Sequence, residues 1–185
     1  MIERPPGWRF VAHAIVSREG SIAARNGAMP PCLHVPEDQA RFRAALQVAT
    51  VTIVGREGHE RHPPGERPRL VLTSRVWGIE RDGDRVVRWN PEGATLADAL
   101  LPFSERGGTA VIAGGTRVMT ALLPITDRFD LAIASECSIP DGRPCLEGTT
   151  SVEEIERKLG STRLARRSTS PLGAATLQVW ARDEP

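Results

Sequence analysis

Two apolar runs in this chain stop at glycine followed closely by arginine. Thr50-Val51-Thr52-Ile53-Val54 ends at Gly55-Arg56, and Thr109-Ala110-Val111-Ile112-Ala113 ends at Gly114-Gly115-Thr116-Arg117. A third run, Arg69 to Ser74, ends in Thr73-Ser74-Arg75. Such places suit a phosphate. Glycine lets the backbone approach closely, a following helix offers free N–H groups, and arginine adds charge. Taken singly, each reads equally well as a structural turn; their recurrence at strand ends points to a dinucleotide. The chain lacks a G-x-G-x-x-G fingerprint, so the classical dinucleotide fold is not required.

A different chemistry is offered by Asp38 and Phe42, with Ala45 or Leu46 after them. At helical spacing these share one face, and the pattern sends Arg41 and Arg43 elsewhere. An acid on an apolar face is partly desolvated, which raises its pKa and suits it to hold a proton near neutrality. An acid in a first helical turn also complements the helix dipole without any such role. Both readings are open from the helix alone.

The elements that must position these groups alternate. Phe10 to Val16 reads as a buried strand closed by Ser17-Arg18-Glu19-Gly20, and residues 21–36 as a long loop of the kind that binds or covers ligands. Pro36 is placed to begin a helix through Leu46. Further strands are expected at 50–54, 69–74, 85–89, 109–113, 129–135 and 175–181, with helices near 95–103 and 116–123. Residues 60–69 and 77–84 read as exposed loops, and the role of residues 138–174, which open on a polar stretch with Pro and Gly, is not readable. The alternation implies one α/β domain over residues 1–185, its central sheet largely parallel, with the last two strands forming an antiparallel edge.

Composition narrows the class. Lys+Arg number 24 against 23 Asp+Glu, a formal net charge of +1, so nothing calls for a nucleic-acid or membrane partner. The Arg163–Arg167 cluster lacks interleaved aromatics and reads as a solvated face. No apolar run reaches membrane-spanning length, which fits a soluble cytoplasmic protein. Cys32, Cys137 and Cys145 show no metal-ligand spacing and read as reduced thiols. His59 and His62 on a Pro-rich loop are a poor metal site, and His13 reads as a packed strand residue.

Met29-Pro30-Pro31-Cys32-Leu33-His34-Val35-Pro36-Glu37-Asp38-Gln39-Ala40-Arg41-Phe42-Arg43 resembles the Met-Pro-Trp, Leu-Pro-x-Asp and Phe-Arg segment of the dihydrofolate reductase family. Val51 to Arg56, Arg67 to Ser74, Val111 to Val118 and Leu122-Leu123-Pro124 resemble that family's later motifs, in its order. The resemblance implies a three-layer fold with helices on both faces of the sheet, and NADPH as cofactor. It makes Asp38 the carboxylate that binds the pterin and assists its protonation. Phe42 would line the substrate pocket, Arg67 would meet a substrate carboxylate, and Ala134 stands where the family has a threonine supporting the acid. For the cofactor it implies Arg56, Ser74 and Arg117 at the 2′-phosphate, with Thr73 and Arg75 beside them. Gly55, Ala113, Gly114, Gly115, Thr116 and Val118 would follow the rest of NADPH, with Ala14 and Ile22 on its other side.

Ser17-Arg18-Glu19-Gly20-Ser21-Ile22-Ala23 is also similar to a turn of the riboflavin-pathway reductase domain, which the resemblance places in the same fold. The implied activity is NADPH-dependent reduction of a small-molecule dihydropterin, either dihydromethanopterin or dihydrofolate. A riboflavin-type pyrimidine reductase and a non-catalytic nucleotide-binding module are the alternatives. Oligomeric state is not readable.

Overall fold

The computed structural model describes residues 2–63 and 65–183. The first strand, β1 (Trp8–Ser17), alternates in a way that sets two faces of the molecule. Trp8, Phe10, Ala12 and Val16 enter the main apolar cluster, and Ala14 packs against it. His13 and Ile15, on the opposite pleat, face the other way, and Ile15 joins a second cluster. β1 is flanked by two parallel neighbours, β7 (Gly108–Ile112) and β8 (Arg128–Ala134). Beyond β7 lie β3 (Val51–Gly55), β4 (Arg69–Leu72) and β6 (Val86–Trp89), all parallel.

The expected antiparallel edge is present and larger than the sequence indicates. β11 (Ala175–Ala181) runs antiparallel to β8, and β10 (Ala165–Leu172) pairs antiparallel with β11. The opposite edge is also antiparallel: β5 (Ile79–Asp82) pairs with β6, so the expected loop at 77–84 is partly a strand. Among the described residues nine strands thus form one sheet, ordered β10-β11-β8-β1-β7-β3-β4-β6-β5. A short β2 (Ser21–Ala23) pairs with β9 (Arg143–Pro144) in what otherwise reads as loop.

Helices cover both faces. α3 (Leu96–Leu100), α4 (Thr116–Leu122) and α5 (Val152–Gly160) send Leu96, Leu100, Val118, Leu122, Ile155 and Leu159 into the main cluster. α1 (Pro36–Val48) lies on the opposite face, where Phe42 meets His13 and Arg41 reaches β8. α2 (Arg56–Arg61) begins directly at the end of β3, correcting the expectation of a loop from residue 60. Ser151 caps α5 by accepting from the Glu154 N–H at 3.3 Å, a capping arrangement within the segment 138–174. Among the described residues no helix is long and apolar enough to cross a membrane.

Two ties hold the loops at the carboxyl end of β1. Cys32, in a 3-10 turn ahead of α1, forms a disulfide with Cys137, just past β8. This corrects the expectation of three reduced thiols. Their sequence separation of 105 residues hid a Cα–Cα distance of 5.3 Å that only the fold creates. Cys145 remains a free thiol, buried and pushed up to about 12 by desolvation, hence inert.

The second tie is Glu19. Burial works against its ionisation, but the Ile139 N–H at 2.8 Å, the Ser138 and Ser17 hydroxyls at 2.7 and 2.8 Å, and Arg18 outweigh it. Its carboxyl is held well below its ordinary value of 4.5. A depressed carboxylate stabilises the fold fully above that ordinary value and loses its contribution as pH falls below it. Glu19→Ala is therefore expected to cost about 2 kcal/mol at pH 7, the range for charge-assisted hydrogen bonds. Denaturant melts at pH 7 and pH 3 check it: the gap between wild type and variant should narrow in acid.

Candidate active site

The α1 face of the sheet carries an unusual polar group. Asp130 sits in the middle of β8, opposite His13 of β1, with only 4% of its side chain exposed. An isolated buried carboxylate would be costly, and this one is partnered. Arg41 of α1 donates to its Oδ2 at 2.5 Å, while Arg128 reaches Oδ1 at 2.7 Å and Oδ2 at 3.2 Å. Arg41 thus turns in toward the sheet, correcting the expectation that it points away. A buried counter-charge, invisible in the helix pattern, draws it there.

His13 Nδ1 stands 3.9 Å from Asp130 Oδ2, and its ring centroid lies 5.9 Å from that of Phe42. Desolvation lowers the imidazole's pKa, against the attraction of Asp130 and with the repulsion of Arg41 and Arg128. Asp38 is half-buried one helical turn before Phe42. Its pKa is raised, first by desolvation; Arg41 opposes this and Asp130 adds to it. Among the described residues no hydrogen bond or ion pair engages the Asp38 carboxylate. An acid whose proton affinity is raised by burial thus stands one helical turn from Phe42, whose ring adjoins His13.

The other expected residues on this face separate. Ala134 is buried at the end of β8 in an apolar cluster with Ile15, Leu33, Val35 and Cys137, and offers no polar support. Arg67 is exposed beside a cleft of about 530 Å³ lined by Leu46, Ala49, Thr52 and Pro68, at the far end of α1 from Asp38.

The strand ends bring most of the phosphate-type residues together. Arg56, Thr73 and Arg75 line one cleft of about 520 Å³, joined by His59, Glu80 and Arg88. Arg56 is held by Glu60, with both contacts at 2.8 Å, and Arg88 is held by Glu80 at 2.9 Å and Asp82 at 2.6 Å. Among the described residues the Arg75 guanidinium has no ion partner. Ser74 is exposed beside the cleft, and Ala113 packs with Val54, Val71 and Val86.

Gly114 and Gly115 adopt φ of +113° and +90°, where a side chain is strained. A Cβ on Gly114 would meet nothing within 4 Å, whereas one on Gly115 would lie 3.9 Å from the Gly55 nitrogen. The two glycine turns therefore adjoin, with open space over Gly114 that a ligand's backbone contacts could use. Thr116 donates its hydroxyl to the Pro144 carbonyl at 2.5 Å, and Val118 is buried below the turn. Arg117 projects into solvent, 4.0 Å from Glu147, away from the Arg56–Arg75 cleft residues. Ala14 and Ile22 pack against the main cluster. A cleft lined by three arginines, of which Arg75 has no ion partner among the described residues, together with the open Gly114 turn, fits a phosphorylated dinucleotide.

Sequence reasoning missed Asp130, although a charge inside the apolar run Phe129 to Ala134 is itself a signal that it has a partner. It also missed His59, Glu80 and Arg88, which reach the cleft only through α2 and the β5–β6 pair.

No protein-family model matches the chain, and no curated protein matches it. Solved structures do. A dihydrofolate reductase from Enterococcus faecalis complexed with NADP(H) is 21% identical over 95% of this chain and 97% of its own, with a TM-score of 0.65. A protein ascribed to riboflavin biosynthesis from Shewanella sp. PV-4 is 17% identical over 95% and 99%, with a TM-score of 0.67. A diaminohydroxyphosphoribosylaminopyrimidine deaminase/5-amino-6-(5-phosphoribosylamino)uracil reductase from Thermotoga maritima is 12% identical, and the match spans 56% of that chain at a TM-score of 0.65. The fold of this chain is the dihydrofolate reductase-like fold that these proteins share.

Proposed function

We propose that this protein is an NADPH-dependent reductase of a dihydropterin, with dihydromethanopterin and dihydrofolate as the two candidate substrates. The observation that carries the reading is Asp38: half-buried, without an ion partner among the described residues, and one helical turn before Phe42, whose ring adjoins His13. A carboxyl in that setting accepts the paired N–H groups of an aminopyrimidine edge and holds a proton that the reduced ring requires. Phe42 would stack on or flank the flat heterocycle. When bound, NADPH supplies the hydride. Arg75 and Thr73 would hold its phosphate, with Arg56 joining if released from Glu60, while the Gly114 turn admits close backbone approach.

A pyrimidine reductase of the riboflavin type is the second reading, favoured by the likeness to the Shewanella and Thermotoga proteins and by the Ser17–Gly20 turn that Glu19 pins. NADPH oxidation with dihydrofolate, dihydromethanopterin and the ribosylamino-pyrimidine decides between them. Turnover with either pterin supports the first reading. Turnover with the pyrimidine alone replaces it with the second, and none with any of the three sinks both.

The cofactor assignment has its own test. Arg75→Gln is expected to weaken NADPH binding about tenfold, roughly 1.4 kcal/mol, because one charge-assisted contact to a phosphate is lost. NADH binding, measured by the same fluorescence titration, should be unchanged. Equal losses for both would move Arg75 away from the 2′-phosphate.

A further inference from the structure

Asp38 and Arg41 stand three residues apart on α1, a spacing at which a carboxylate and a guanidinium ordinarily pair. Here they do not. The Arg41 guanidinium crosses to β8 and donates to Asp130, which is all but fully buried. The Asp38 carboxylate is left with no ion pair and no hydrogen bond among the described residues. We propose that Asp130 is a positioning residue for Asp38: by anchoring Arg41 on the sheet, it keeps the site acid of α1 unpaired.

The surrounding charges support this assignment. Facing Asp38 are Arg41 from its own helix and Asp130 from the sheet. Facing Asp130 are Arg41, Arg128 and, from β1, His13. Arg128 binds Asp130 through two atoms from two residues away on the same strand, so the buried carboxylate has a partner that does not need Arg41. The Arg41 bridge is thus an added connection between helix and sheet. Glu37, next in the chain to Asp38, lies over the β10–β11 turn instead, its carboxylate against Gly173. Desolvation raises the proton affinity of Asp38, and a guanidinium released to pair with it would cancel that effect.

The inference rests on Asp38 as the site acid, but its test does not need turnover. Carboxyl carbon shifts followed by NMR report the titration of Asp38 in the ligand-free protein. Asp130→Asn is expected to move that midpoint down by about one pH unit, since a negative neighbour is lost and Arg41 is freed toward Asp38. Arg41→Met should move it up by less than about half a unit in the wild-type background, and by clearly more in the Asp130→Asn background. Equal effects of Arg41→Met in the two backgrounds would overturn the proposal, because Arg41 would then not have been redirected. Should Asp130→Asn fail to fold, Arg41→Met alone still decides: a rise of more than about one unit would mean that Arg41 already pairs with Asp38. Failure of the functional reading is seen separately, as an Asp38 that titrates as described in a protein that reduces none of the three substrates.

Discussion

Asp38→Asn is expected to lower reductase turnover near pH 7 at least about 100-fold, the usual scale for losing a positioned proton donor. NADPH binding should persist, because Arg75 and the Gly114 turn lie on other elements. In wild type, the rate should fall as pH rises through the raised pKa of Asp38, since the proton it holds is lost. The variant should lack that limb. A carboxyl raised by folding binds its proton more tightly when folded, so stability declines as pH climbs from its unfolded toward its folded value. Asparagine removes that penalty, and the variant should melt no lower than wild type at pH 7. Steady-state rates from pH 5 to 9, with a melting curve beside them, separate the two effects. A variant that keeps full turnover would take Asp38 out of the mechanism.

Reduction of the Cys32–Cys137 disulfide should cost about 2–4 kcal/mol and lower the melting temperature by roughly 5–15 °C. Opening a closure of 105 residues frees a large part of the unfolded chain, which is where much of the stabilisation resides. The consequence reaches the site. Cys32 is followed by Leu33 and Val35, which fill the cluster under Ile15, Ala132 and Ala134, and then by α1 with Asp38. Calorimetry with and without reductant measures the effect, and Cys32→Ser should melt at the reduced value in either buffer. An unchanged melting temperature on reduction would show that the two sulfurs are not bonded or that their bond does not restrict the unfolded chain. The segment after Cys137 remains tied to Glu19 in either state, so the loss should loosen the approach to α1 more than the β1–β2 turn.

Much of the scaffold was legible because burial imposes a pattern. Parallel strands covered on both faces read as continuous apolar runs, and β3, β4 and β7 stand where their apolar residues place them. α5 was also within reach: Ser151 with Glu154 is a cap signal, and Ile155 and Leu159 mark its buried side. β10 was not. Seven of its eight residues are exposed, so it carries no alternation, and only its pairing with β11 makes it a strand.

The same division runs through the candidate site. Sequence by itself determined the strand-end glycines and arginines, the acid on α1 and the aromatic residue one turn after it, because these follow from local spacing and from motif order. It could not decide which arginine is free. Among the described residues Arg56 and Arg88 meet carboxylates at the cleft while Arg75 does not, and Arg117 lies away from it in solvent. Nor could it decide that Arg41 turns inward to Asp130, leaving Asp38 unpaired, or that Cys32 meets Cys137. Each of these depends on groups far apart in the chain and adjacent in space. A charge takes its partner from what burial places beside it, and only the tertiary structure sets that neighbourhood.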